Sequence, residues 1–390
     1  MKIRRILLVG LALVLAAQLV WLAAPGEAAR GRVIILGFDG VDPDIVKGMI
    51  AKGELPNLTK LATEGTFAPL ESSNPPQSPT AWSSFATCRR PVNHGIFDFL
   101  RRDPKTYFPG VGFGMAKHPE LAPDGSLKEQ LTYQSNRKGE TFWKVASDQG
   151  TRVKALVVPF AYPAEGLSDH CCQLCGLDVQ DIRGTQSTYF ALSEDFSRPE
   201  PVAGGMRLPL RFQGDSATVQ VPGLRDPRNR RQYIEVPITV TADRAAKQVS
   251  VEVQGKQCTL GEGEWSEWME WTFDVSEKYT VEAISRFFVM EAGDLVRLYM
   301  TCLQYHPRNP MIPISTPEDY AAELADRYGL YKTVGWSYDT KALQQDDMTE
   351  AMFLEDVRRT MAWREQLTLD EMERGEFDLL LAAWTATDRV

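Results

Sequence analysis

The chain has 390 residues, with 43 Lys and Arg against 52 Asp and Glu, for a formal charge of −9. Hydrophobic residues make up 43% and charged residues 24%, a globular balance that excludes a disordered, collagen-like or multi-spanning chain. The acidic balance argues against a nucleic-acid-binding surface, which would carry a basic field, and six cysteines are too few for a disulfide scaffold.

Lys2, Arg4 and Arg5 precede an uncharged apolar run from Ile6 to Ala24, and small residues follow at Ala24, Gly26, Ala28 and Ala29. That is the three-part layout of a secretory signal peptide over residues 1–29. The run is also long enough to span a bilayer, so a retained anchor over residues 6–24 is the alternative. Either reading exports the mature chain to a periplasmic or extracellular setting, and the anchor reading keeps it attached to the membrane through residues 6–24.

The mature chain opens on the branched run Arg32–Phe38, which reads as a strand buried on both faces. Apolar residues at Ile45, Val46, Met49 and Ile50 predict an amphipathic helix over 43–51. Pro56 starts a second helix with Leu58, Leu61 and Ala62 on its buried face. Thr66–Leu70 reads as another strand. After the Asn74-Pro75-Pro76 break, Ser78-Pro79 opens a third helix through Thr87. A helix over 142–147 and a buried strand over 153–158 continue the alternation that a parallel sheet wrapped on both faces requires.

The texture changes after Ser197. Residues 219–221, 234–240 and 249–253 alternate apolar with polar side chains between turns, as half-buried strands do. GEWSEW (263–268) leads a further strand-rich stretch to Tyr299. The predicted organisation is therefore an α/β core over 30–199, a β-rich insertion over 200–305, and the core again over 306–390. That last part holds helices over 315–328 and 346–373 and a buried strand over 377–384.

Asp39 and Asp388 each follow an apolar strand, and ligands of parallel α/β sheets bind beyond the carboxyl ends of the strands. Ser78 sits at a predicted helix start, where free N–H groups favour an anion. A hydroxyl flanked by carboxylates that can hold a divalent cation suits phosphoryl transfer. Each piece alone also fits ordinary helix capping.

The combination is more specific. VIILGFDGVDPDIVKGMI, then NPPQSPTAWSSFATCRRPVNHGIFDF, resembles the alkaline phosphatase superfamily, in its type I phosphodiesterase/nucleotide pyrophosphatase branch and the predicted phosphohydrolase–phosphomutases related to it. The resemblance covers residues 32–188 and 311–390. It implies an α/β/α sandwich with a mostly parallel central sheet, and a small phosphorylated substrate. It implies Asp39 as a metal ligand and Ser78 as nucleophile and ligand, with Thr80 in reserve. The terminal TDRV resembles the start of an Asp-x-x-x-His motif and makes Asp388 a ligand. Two divalent cations are implied, zinc first, with manganese or magnesium as the alternative.

Arg89 and Arg90 are candidates for substrate phosphate, and Arg101 and Arg102 lie on the other side of His94-Gly95; His94 itself reads as structural. The sequence departs from the family at Phe97-Asp98-Phe99, where a phosphate-contacting Asn is common, and at Cys88. The family also continues past TDRV to further histidines and strands. Their absence leads us to expect that the sequence is part of a longer protein or a truncated product.

The resemblance thus implies phosphoester hydrolysis through a phosphoserine. Phosphomutase or phosphotransferase chemistry on the same intermediate and a non-catalytic envelope protein are the alternatives. His170, Cys171, Cys172 and Cys175 cluster too closely for paired zinc half-sites and read as buried thiols or a disulfide.

Overall fold

Five strands make the central sheet. They are β1 (Val33–Phe38), β2 (Val153–Val158), β3 (Cys172–Cys175), β4 (Ser315–Thr316) and β5 (Leu379–Trp384), in the spatial order β1-β5-β2-β3-β4. The computed structural model describes residues 31–389. The expected signal peptide or anchor lies outside them. The chain divides into residues 1–33 and a body of residues 34–390.

β5 pairs parallel to β2 from Leu379↔Val153, and β2 pairs parallel to β3. Short β4 closes that edge antiparallel to β3. The fold class is the expected one: α/β with a mostly parallel sheet and added antiparallel sheets.

Alternation along the strands sends neighbouring side chains to opposite faces. Val153, Ala155, Leu379 and Leu381 pack with Ala86 of α3 (Ser78–Thr87) and Trp143 of α4 (Phe142–Asp148). Leu156, Leu174, Leu380 and Ala382 join a separate core. There they meet Leu324 of α5 (Tyr320–Tyr328) and Leu367 of α6 (Glu350–Arg374). Thr349 caps α6 by accepting from Met352 N, and Gly375, left-handed at φ 64°, ends it.

Strand 189–193 pairs parallel with 205–209 and antiparallel with 296–300. It joins a five-stranded sheet with 200–202, 205–209, 287–292 and 296–300. A four-stranded meander runs over 216–261, and its inward Val and Ile residues share one apolar core with the central sheet.

Three expectations fail. β1 is not buried on both faces: it is the sheet's edge among the described residues, and Ile34, Leu36 and Phe38 are exposed. The helices Pro43–Ala51 and Pro56–Glu64 form as read, yet neither fully buries a residue, and Ile45 and Leu61 are each 65% exposed. Residues 66–70 form no strand, having no ladder partner among the described residues. No helix among the described residues is long and apolar enough to cross a membrane.

One ion network lies inside the second face. Lys154 of β2 bonds Glu371 of α6, whose other oxygen accepts from Arg327 Nη1 at 2.9 Å. Burial pushes the Glu371 carboxyl up, but the hydrogen bonds and charges of Lys154 and Arg327 outweigh it and hold the group below its usual range. Removing one member of such a buried pair leaves charge uncompensated. Lys154→Met should therefore cost about 3 kcal/mol in urea unfolding at neutral pH. A loss below about 1 kcal/mol would reduce the pair to the worth of a surface bridge.

Candidate active site

The site grows from the C-terminal end of β1. The strand's alternation turns Ile35, Gly37 and Asp39 toward α3. Ile35 packs into the core beneath that helix, and a Cβ on Gly37 would lie 2.5 Å from the Trp82 ring. Glycine at 37 thus lets α3 lie directly on the strand. The first residue of α3 then meets Asp39: Ser78 Oγ donates to Asp39 Oδ1 at 3.3 Å. Gln77 at the N-cap makes no side-chain cap, so the helix's leading N–H groups stay available to an anion.

Asp388 arrives from the other end of the chain. The Asp39 N–H donates to the Trp384 carbonyl at 2.9 Å, which aligns the ends of β1 and β5 and runs them in one direction. The Phe38 and Trp384 rings stack with centroids 5.2 Å apart. A 3₁₀ turn over Ala386–Asp388 follows, and Thr387 Oγ1 donates to the Asp39 carbonyl at 2.6 Å. Gly40, at φ +73°, receives this turn closely; a Cβ there would lie 2.8 Å from Asp388 Cα and 2.9 Å from its Oδ1. Arg389 reaches Asp388 Oδ2 at 3.5 Å and lies 4.0 Å over the Trp336 ring.

Two carboxylates and a hydroxyl are thereby gathered. Burial raises the Asp39 carboxyl's pKa, and the Asp388 charge raises it further; the Trp82 and Ser78 side chains and, last, Arg389 oppose this. Asp39 Oδ2 is buried with no hydrogen-bond partner. An orphaned carboxylate oxygen beside a second carboxylate fits one divalent cation, with Asp39, Asp388 and Ser78 as oxygen donors. Among the described residues no group of three or more His, Cys, Asp or Glu is gathered.

Other expected residues do not join. Arg89 and Arg90 are exposed beyond the far end of α3, a helix about 15 Å long that starts at Ser78. They stand at the opposite end of the helix from Ser78. Thr80, the reserve nucleophile, is fully buried, with its hydroxyl unpaired. Arg101 bonds Asn136, and Arg102 lies over Tyr107. His94 is structural as read: it is fully buried, Nδ1 accepts from Ile96 N, and Nε2 meets Ser84 Oγ at 2.9 Å. Burial and then Arg137 lower its pKa. All six cysteines are free thiols; Cys171, Cys172 and Cys175 are buried and His170 is exposed, so neither a disulfide nor a zinc cluster forms.

Trp82, Thr387, Trp336 and Arg389 escaped the sequence reading. Only Thr387 and Arg389 carried a signal, as neighbours of Asp388. Trp336 joins Phe99, Phe113, Phe160 and Leu177 around an apolar hollow of about 170 Å³ that Arg389 links to Asp388.

Residues 33–221 match the type I phosphodiesterase / nucleotide pyrophosphatase family. The match covers just under half of the chain. It spans Asp39 and Ser78 but not Asp388, which only the fold brings to them. The family's chemistry is phosphoester hydrolysis, and its members generally depend on metal. No curated protein and no solved structure matches the chain significantly.

The sign of the Asp39 effect is testable without substrate. A carboxyl whose folded pKa is raised supports the fold while protonated and loses that support as pH rises through the raised value. In chelator, Asp39→Asn should therefore stabilise the chain at neutral pH by about 1 kcal/mol, relieving an orphaned acceptor and a like charge. The gain should vanish toward about pH 4, where the native carboxyl is neutral. Urea melts across pH would read it, and a destabilised variant at neutral pH would refute the assignment.

Proposed function

We propose that the chain is an exported, divalent-cation-dependent phosphoester hydrolase of the phosphodiesterase type, with Ser78 as nucleophile. The reading rests on one observation: the Ser78 hydroxyl, at the uncapped start of a helix, donates to Asp39 with Asp388 held beside it. Asp39 orients Oγ, and the leading N–H groups of α3 receive the phosphoryl oxygens. The Oγ–phosphorus bond forms as the bond to the leaving alcohol breaks. Water then cleaves the seryl ester and releases the phosphomonoester. A cation bound by Asp39, Asp388 and Ser78 supplies charge neutralisation and a lowered hydroxyl pKa. The all-oxygen donor set favours a hard ion such as magnesium or manganese over the zinc implied by resemblance. The apolar hollow beside Trp336 suits the organic substituent of a diester.

A second reading, a non-catalytic envelope protein, takes support from the small set of donors gathered among the described residues, Asp39, Ser78 and Asp388. Hydrolysis of bis(p-nitrophenyl) phosphate with added magnesium, manganese or zinc separates the two. We expect cation-dependent turnover that falls about a thousandfold or more in Ser78→Ala. Phosphoserine at residue 78 should be recoverable by acid quench and mass spectrometry. Full cation-dependent activity in Ser78→Ala would exclude this nucleophile, and no turnover with any of the three ions would favour the non-catalytic reading.

A further inference from the structure

A second cavity, of about 430 Å³, lies on the other face of the central sheet from Ser78. Its floor is the end of β2 and β3, at Val157, Leu174 and Gly176. Val157 is left-handed at φ +56°, costly for a branched residue, where the β2–β3 register shifts. The bulge packs on Gly176, where a Cβ would meet the Val157 carbonyl at 2.3 Å. One wall is α6, through Asp356, Arg359, Trp363 and Arg364; the other comes from the insertion, through Trp268 and Arg286.

The charges lining this cavity do not cancel: Arg286, Lys332, Arg359 and Arg364 face only Glu267 and Asp356. Lys332 is paired with Asp356 at 2.6 Å, and Arg359 with Glu355 at 2.7 Å. Arg286 and Arg364 have no carboxylate within ion-pair distance among the described residues, and both are more than nine-tenths buried. Arg286 spends only Nε, on the Ser266 carbonyl at 2.7 Å; its two Nη groups make no hydrogen bond among the described residues. It is held by the GEWSEW segment, lying 5.3 Å from the Trp265 ring and 5.7 Å from the Trp268 ring. Arg364 gives Nη2 to Ser337 at 2.9 Å and Nη1 to Thr385 at 3.4 Å, both neutral hydroxyls. The Trp363 indole N–H also lacks an acceptor. Burial lowers the Arg286 pKa and Arg359 adds to this, while Asp356, Glu267 and Glu355 only partly offset it.

Buried guanidinium groups without a counter-ion are costly unless an anion completes them. Forked donors match phosphoryl oxygens in pairs, and the volume and indole walls suit a small planar group. We propose that this cavity binds a small aromatic phosphorylated molecule, its phosphoryl group on Arg286 and Arg364 and its ring against Trp268. The site is separate from the Asp39–Ser78–Asp388 cluster and does not depend on its chemistry.

Calorimetric titration of the full chain with phenylphosphonate, which cannot be hydrolysed, tests this in chelator, so that no cation recruits the ligand to Asp39. Saturable one-site binding is expected, tighter than that of benzoate and unchanged in Asp39→Asn. Arg286→Gln should weaken it about tenfold or more through the lost charge-assisted bonds. Trp268→Ala, at a half-buried residue that leaves the charges in place, should weaken it severalfold and serves as the second variant if Arg286→Gln fails to fold. No saturable binding, binding indifferent to the folded variants, or binding lost in Asp39→Asn would each overturn the site. Tighter binding of benzoate would overturn the phosphoryl assignment.

Discussion

The candidate site depends on the parallel pairing of β1 with β5. The hydrogen bond from Asp39 N–H to the Trp384 carbonyl sets the two strand ends level. Thr387 then donates to a residue 348 positions away in sequence. Closing so long a loop adds little beyond a shorter one, since each doubling costs about 0.6 kcal/mol. The expense is met by the sheet, whose β2 and β5 strands are almost wholly buried between two apolar layers. With the register set, alternation aims Asp39 at α3, the missing side chains of Gly37 and Gly40 admit Trp82 and the Asp388 turn, and Ser78 follows from the helix start.

The electrostatics of that junction run against the stability of the free chain. Asp39 is desolvated, faces Asp388, and leaves one oxygen without a donor. A fold selected only for stability would place an amide or a cation here. Local cost of this kind is typical where a ligand supplies the missing interaction, because the charge is then already positioned when the ligand arrives. The cavity behind the sheet repeats the pattern with opposite sign: two buried guanidinium groups meet only neutral partners. The protein thus holds an excess of negative charge at one site and an excess of positive charge at the other.

The periodic elements were legible in the sequence because their signals are local. The branched run 153–158 is β2 to the residue, and Ser78-Pro79 to Thr87 is α3 to the residue. Helix α6 begins four residues later than read, because Thr349 caps it more effectively than the acidic run before it. Asp39, Ser78 and Asp388 were legible as types at strand and helix ends, and the fold brings them together. Local pattern could not report exposure. The same apolar period marks a helix stripe whether or not a neighbour covers it, so Leu61 read as buried and is not. Nor could it place Arg89 and Arg90, since adjacency in sequence to the serine helix became separation by that helix's full length. The second cavity was illegible for a stronger reason. Its residues 268, 286 and 364 come from an insertion loop, an insertion strand and α6, and no spacing rule links them.

Arg364 joins the two regions physically. Its Nη1 contacts Thr385, the residue between β5 and the turn that carries Asp388; its Nη2 contacts Ser337, next to the Trp336 ring that supports Arg389. Both segments that brace the Asp388 side of the junction therefore rest on one guanidinium from α6. Only hydroxyls hold that guanidinium, and an anion competes well against a hydroxyl for the same donors.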